Sequence, residues 1–190
     1  MKEKYGMLDF LFGYKKLKNV GYKLFSKIIE QSRVSEFYSR LDVEDSLDGR
    51  FDLMAVHMVI LLDKLDQEKD NKKSARLKRI LQEIMFDNLD LTLREIGVGD
   101  LGVGKKIKVM AEAFYGRMTV YQAAFKEGDT DLISEALLRN LYRGKVIDKN
   151  ILSDMSAYVR KQHKNIASQP ISEIMHGEIE FSLPDGGAND

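Results

Sequence analysis

Three histidines and a cluster of glycines are the residues of this chain whose spacing could support metal or nucleotide chemistry. Glu173 and His176 have the ExxH spacing of di-iron carboxylate proteins. Such a site needs a second ExxH and two further inward glutamates, and no glutamate stands three residues before His57 or His163. The sequence therefore predicts no metal site. We expect a surface position for His176 and a partly buried, hydrogen-bonded imidazole for His57.

The stretch from Gly97 to Gly104 matches two phosphate-binding patterns. Residues 97–102 fit GxGxxG, and residues 99–105 fit the first seven positions of GxxxxGK[ST]. Both patterns require a strand before the loop, whereas the residues before Gly97 have helical spacing, and Lys106 stands where the second needs Ser or Thr. We interpret the stretch as a connector in which Gly97 ends one helix in the left-handed conformation and Gly104 permits a tight entry to the next.

Catalytic chemistry finds little other support. No Ser/His/Asp set has supporting spacing. The absence of cysteine excludes disulfides, thiolate zinc sites and cysteine nucleophiles. A nucleotide-dependent enzyme is therefore the least favoured of three hypotheses, and it would require Lys105 to bind a phosphate. We predict a protein that is not an enzyme and has no catalytic residues, cofactor or metal.

Length and composition indicate one soluble, folded domain. The chain has 190 residues, of which 44% are hydrophobic and 32% charged, and 30 basic residues balance 30 acidic ones. This balance gives no indication of DNA binding. The apolar run at residues 59–62, which lies between His57 and Asp63, is far shorter than the ~20 residues that span a bilayer. Residues 1–12 carry Glu3 and Asp9 and lack the features of a secretory signal, so we expect a cytoplasmic protein.

Helical periodicity extends through most of the chain and predicts an all-α, single-domain multi-helix bundle. Both prolines, Pro170 and Pro184, lie near the C-terminal end, which leaves the preceding residues free to form long helices. A charged loop is predicted at residues 66–74, and Asp129 and Asp148 are predicted helix caps. The predicted helices begin near residue 10 and then cover residues 34–40, 49–65, 75–96, 103–125, 131–142 and 149–163, and the apolar helix at 49–65 is expected to be central. The apolar stripe of the first helix comprises Phe10, Tyr14, Leu17, Leu24 and Ile28. The apolar stripe of the helix at 103–125 comprises Val103, Ile107, Met110, Phe114, Met118, Tyr121 and Phe125.

The chain divides into three predicted parts. Residues 1–33 form a basic amphipathic helix that is part of the core or appended to it, residues 34–168 form the helical domain, and residues 169–190 form a loosely structured tail. Residues 1–30 contain seven lysines and three acidic residues, a net charge of +4. The second hypothesis is therefore a module that binds the membrane periphery or ribosomal RNA through the lysines of this helix, which are Lys15, Lys16, Lys18, Lys23 and Lys27.

Three short stretches of the sequence carry a family resemblance that is separate from the two glycine patterns. They are residues 47–52 (LDGRFD), 93–100 (LREIGVGD) and 110–117 (MAEAFYGR). Together with Lys105-Lys106 and an ending at residues 177–184, they make the stretch from residue 37 to 142 look like the ubiquinol-cytochrome c chaperone family. The match is ordered and covers more than half of the chain.

The resemblance implies a helical, non-enzymatic chaperone that assembles the cytochrome bc complex. Its mitochondrial relatives hold newly made cytochrome b near the ribosomal tunnel exit and work with a small partner subunit. For this chain we expect cytochrome b or an early bc-complex intermediate as partner, with contacts to the ribosome or the inner membrane as further options. The acidic residues at the start favour a bacterial member of the family.

The client-binding surface is expected around the glycine connector and the helix that follows, where the resemblance is densest. The polar and amphipathic residues there exceed what a simple connector needs. A structural role is the alternative for each, since Arg94 and Asp100 could pair with each other, and Tyr115 and Arg117 could pack on a neighbouring helix. The expected client-binding residues are Arg94, Asp100, Lys105, Lys106, Tyr115 and Arg117.

Overall fold

The fold is an all-helical bundle, as predicted. The structure, a computed structural model, describes residues 2–68 and 71–184, with residues 2–12 described by their backbone only. No strand occurs within these ranges. The helices are α1 (Lys2–Ser32), α2 (Glu36–Ser39), α3 (Leu47–Gln67), α4 (Lys72–Glu95), α5 (Asp100–Glu127), α6 (Thr130–Asn140), α7 (Lys149–Ser168) and α8 (Ile171–Ile174).

Helix α3 forms the centre of the bundle. Every residue from Phe51 to Leu62 is buried, because α1, α4, α5 and α7 all contact this helix. Its apolar side chains cover almost the whole circumference, which is typical of a helix surrounded by neighbours. Ser46 caps its first turn by accepting a hydrogen bond from the backbone N–H of Gly49 at 3.1 Å. The core therefore assembles around one helix that the sequence identified.

Side-chain caps set the starts of four helices, α3, α4, α6 and α7. The predicted caps are confirmed, since Asp129 accepts from the N–H of Asp131 and Asp148 accepts from the N–H of Asn150. The predicted loop at residues 66–74 is wrong in its length. The side chain of Asn71 accepts hydrogen bonds from the N–H groups of Lys73 and Ser74, so α4 starts at Lys72. The polar residues that follow Asn71 therefore lie in the first turn of α4.

Helix α1 joins the core along its second half. Leu17, Leu24 and Ile28 from the predicted stripe are buried, and α1 contacts both α3 and α4. The helices approach closely at Gly21, where a Cβ atom would lie 2.8 Å from Cγ2 of Ile80. The side chain of Phe10, which begins the predicted stripe, lies outside the described residues. The division of the chain at residue 33 stays a prediction.

A buried polar chain links three helices through His57. The imidazole is fully buried, and its Nδ1–H donates to the carbonyl oxygen of Leu53 at 2.9 Å. The Tyr158 hydroxyl donates to Nε2 at 2.7 Å and accepts from the side-chain amide of Gln31 at 2.9 Å. The predicted hydrogen bonding of His57 is confirmed, whereas its burial is complete rather than partial. These hydrogen bonds suit a neutral imidazole.

The predicted tail has little regular structure, but it is attached to the bundle as far as Pro184. Side-chain amides of Gln31 and Gln162 donate to the carbonyl oxygen of Ser182 at 2.9 and 2.8 Å. The Phe181 ring packs edge-on against His57, with centroids 5.4 Å apart. Specific side-chain contacts therefore hold this segment, although only the four residues of α8 are helical. Residues 185–190 lie outside the described residues.

The buried imidazole makes stability depend on pH. Burial lowers the pKa of His57 from 6.5 to about 4, so the unfolded chain takes up this proton first as pH falls. The stability that the neutral His57 contributes is fully present above pH ~7 and is lost progressively towards pH 4. At pH 5 the free energy of unfolding has fallen by about 2 kcal/mol for this reason. Urea unfolding at pH values between 7.5 and 5 gives the free energy of unfolding of the wild type and of the His57→Gln variant. The decrease with falling pH is expected to be larger in the wild type, and the difference measures this loss. Equal pH slopes for the two proteins would contradict it.

Candidate interaction site

The glycine connector is a short turn between α4 and α5. Gly97 has a φ of 87°, and the N–H groups of Gly97 and Val98 donate to the carbonyl oxygens of Arg94 and Leu93. These bonds end α4 as predicted. The expected role of Gly104 is wrong, because α5 already begins at Asp100 and a Cβ atom at Gly104 would meet nothing within 4 Å.

Phosphate binding at this connector has no structural support. Helix α4, rather than a strand, precedes the glycines. The first turn of α5 carries Asp100, whose carboxylate is the charge that a helix N-terminus favours. Arg94 donates to Asp90 at 2.6 Å and also pairs with Asp100. A phosphate here would meet a carboxylate in place of open N–H groups.

Five of the six residues expected to bind a client are exposed. Arg94 and Asp100 meet at the connector, as the structural alternative foresaw. Lys105 and Lys106 extend from the first turns of α5 into solvent. Tyr115 lies about 15 Å further along the helix axis. Its side chain is exposed on one side and rests beside the ring of Phe86 on the other.

Arg117 faces the core and is held there by Asp52. Its Nη2 lies 2.8 Å from Oδ1 of Asp52, and Arg143 Nε lies 2.8 Å from Oδ2. The Asp52 side chain has no exposed surface and that of Arg117 only 12%. Burial raises the pKa of Asp52, and the two guanidiniums oppose this effect. Arg117 therefore fastens α5 to α3, and the exposed surface consists of the other five residues.

The lysines of α1 lie along its solvent side. Lys15, Lys16, Lys23 and Lys27 are exposed, and Lys18 is partly covered. Two of them have acidic neighbours, since Lys23 Nζ is 4.0 Å from Glu178 and Lys27 Nζ is 3.6 Å from Glu30. The face keeps its positive charge, because such exposed pairs are weak.

A groove that the sequence did not predict lies near the connector. We call it the apolar groove. It has a volume of about 320 Å³ and is bounded by the end of α1, by α2, and by parts of α3 and α4. Its lining comes from segments far apart in the chain, so no local pattern indicates it. The apolar lining residues are Ile29, Leu47, Phe51, Met54, Leu89 and Ile96.

The part of the chain that the structure describes contains no group of three or more His, Cys, Asp or Glu residues that could hold a metal ion. The Nδ1–H of His176, an exposed residue, donates to the carbonyl oxygen of Ser172. No helix within the same ranges is long and apolar enough to cross a membrane.

Known proteins resemble this chain in sequence and in structure. Ubiquinol-cytochrome c reductase complex assembly factor 1 is 23% identical over 167 residues in both Mus musculus and Homo sapiens. The matched region covers 87% of this chain and 56% and 55% of the two relatives, so it spans about half of their length. The crystal structure of the Cbp3 homolog from Brucella abortus superimposes with a TM-score of 0.80 at 26% identity, covering 93% of this chain and 96% of that one.

The family model "Ubiquinol-cytochrome C chaperone" matches residues 39–181. This range includes all three short stretches named above in full, together with the connector. It runs from the end of α2 to the anchored segment after α8. The chain therefore belongs to the ubiquinol-cytochrome c chaperone family.

Proposed function

We propose that this protein is a non-enzymatic assembly chaperone that binds cytochrome b, or an early intermediate containing it, during assembly of ubiquinol-cytochrome c reductase. The matched relatives are assembly factors of that complex. The client is held at the client surface, which we define as Arg94, Asp100, Lys105, Lys106 and Tyr115. The protein works in the cytoplasm, next to the inner membrane where its client resides.

The observation that carries the proposal is the family match over residues 39–181, which contains the whole client surface. That surface offers two exposed lysines and, about 15 Å further along the helix axis, an exposed aromatic ring. Polar residues around a partly apolar patch are common in interfaces that form and dissociate.

The test is a strain that lacks the gene. Membranes of this strain are expected to lose cytochrome b and quinol-cytochrome c reductase activity together, while other respiratory enzymes stay intact. Reintroducing the wild-type gene restores both. Normal cytochrome b and reductase levels in the deletion strain would overturn the proposal.

Charge reversal tests the client surface itself. We expect Lys105→Glu/Lys106→Glu to weaken capture of cytochrome b from detergent extracts by at least about tenfold, because two attractive charges become repulsive. Lys72→Glu/Lys73→Glu is the matched control, since it reverses two adjacent exposed lysines at the start of α4. Equal capture of cytochrome b by both double variants would show that Lys105 and Lys106 do not belong to the client surface.

A second candidate function is membrane or ribosome binding through α1. The exposed lysines of this helix and the exposed ring of Tyr22, with Lys18 5.8 Å from its centroid, favour an anionic surface. Reversing Lys15, Lys16, Lys23 and Lys27 to Glu tests it in sedimentation with vesicles or ribosomes at low and high salt. Sedimentation that neither salt nor these substitutions reduce would exclude this function.

A further inference from the structure

The apolar groove suits an apolar occupant. The floor residues Phe51, Met54 and Leu89 are nearly inaccessible themselves and present carbon to the groove. Ile96 at the edge is 58% exposed and extends the apolar surface to the connector. Exposed apolar surface next to a recessed floor is typical of a binding site.

Three polar side chains in the same wall already have partners. The Tyr38 hydroxyl donates to the carbonyl oxygen of Ser32 at 2.6 Å, and Thr92 Oγ1 donates to that of Asn88 at 2.9 Å. Ser46 Oγ accepts from Gly49 N–H. At these three side chains a sugar or a base would lose its hydrogen bonds to water without replacing them, which disfavours polar ligands along this wall.

One end of the groove carries positive charge. Arg50 is held by Asp45 at 2.6 Å. Arg33 is exposed and forms no ion pair with the residues that the structure describes. A shallower depression continues from this end between Arg33, Ser35 and Ser39. An occupant with a carboxylate at one end and an apolar body would complement both ends.

We propose that the apolar groove binds an apolar helical segment of the client that carries an acidic residue at one end, opposite Arg33. This deepens the proposed function and rests on it. A helix in a groove is anchored by side chains at i, i+3 or i+4 and i+7, and a space of about 320 Å³ holds a few such side chains. The groove meets the client surface at Ile96, two residues after Arg94.

Labelled synthetic helices test the inference by fluorescence anisotropy. One probe is a 16-residue Leu/Ala peptide with Glu at one end, and the other has Lys in its place. We expect the wild-type protein to bind the Glu peptide at least about tenfold more tightly, and Arg33→Glu to reverse this order. Arg139→Glu, which reverses an exposed arginine on α6, is expected to behave as the wild type. Ile96→Asp is expected to weaken both peptides.

Other results would overturn the inference. The same preference in wild type and Arg33→Glu would remove the charge argument, and binding unaffected by Ile96→Asp would place the peptides elsewhere. Binding of oleate without either peptide would make the groove an acyl-chain site. In the deletion strain, full restoration of reductase by Arg33→Glu and by Ile96→Asp would overturn the inference and leave the proposed function intact. Failure of the wild-type gene to restore it would overturn the proposed function.

Discussion

Replacing Gly49 by alanine is expected to lower the free energy of unfolding by more than about 3 kcal/mol. A Cβ atom at this position would lie 2.0 Å from the carbonyl oxygen of Glu44, which also accepts a hydrogen bond from Ser46 N–H at 2.9 Å. A backbone atom cannot rotate away as a side chain can. The segment at residues 44–46 and the first turn of α3 must therefore move apart. Urea denaturation followed by circular dichroism measures the loss.

Gly116→Ala is the matched control for this substitution. Gly116 lies within α5, and a Cβ atom there would meet nothing within 4 Å. Alanine is favoured over glycine inside a helix, so we expect a gain of about 0.5–1 kcal/mol. Similar stability changes for the two variants would show that crowding at Glu44 does not determine the effect at Gly49.

Removing the guanidinium of Arg117 is expected to cost about 3 kcal/mol, because it leaves a buried carboxylate with one partner fewer. Asp52 has no exposed surface, and its remaining partner Arg143 is 42% exposed. The Arg117→Ala variant would also lose the bond from Nη2 to the carbonyl oxygen of Asn140. Thermal and urea unfolding of the purified variant measure the cost.

Two comparisons separate the ion pair from general damage. Arg139→Ala removes an exposed arginine and is expected to change stability by less than about 0.5 kcal/mol. In a double-mutant cycle, Asp52→Ala and Arg117→Ala are expected to be less costly together than the sum of the single changes, because each removes the other's partner. Strict additivity would mean that the two side chains do not interact.

Much of the helical architecture could be predicted because apolar residues recur at helical spacing. In α5 the predicted stripe includes Val103, Phe114 and Tyr121, and all three are buried. The caps Asp129 and Asp148 could also be predicted from the local sequence, since each carboxylate accepts a hydrogen bond from the N–H two residues later. Helix ends were less predictable where a cap was not recognised, as at Asn71, because charged residues occur in loops and in first turns alike.

The direction in which a charged side chain points depends on the whole bundle. Arg117 lies three residues after Phe114 and four before Tyr121, so its spacing already indicated the buried side of α5. Its charge favoured the opposite interpretation, because the sequence does not show that Asp52 lies across from it. The apolar groove was beyond prediction for a related reason, since residues between positions 29 and 96 form it together.

The attachment of Ser182 to Gln31 has a consequence for biosynthesis. The two residues are 151 positions apart, yet the amide of Gln31 has this carbonyl oxygen as an acceptor and also contacts the Tyr158 hydroxyl. During translation the buried amide of Gln31 therefore cannot make all of its hydrogen bonds until residue 182 has been synthesised. Completion of this hydrogen-bonded chain is a late event in folding, and a polypeptide that ended before residue 182 would leave one N–H of this buried amide without its acceptor.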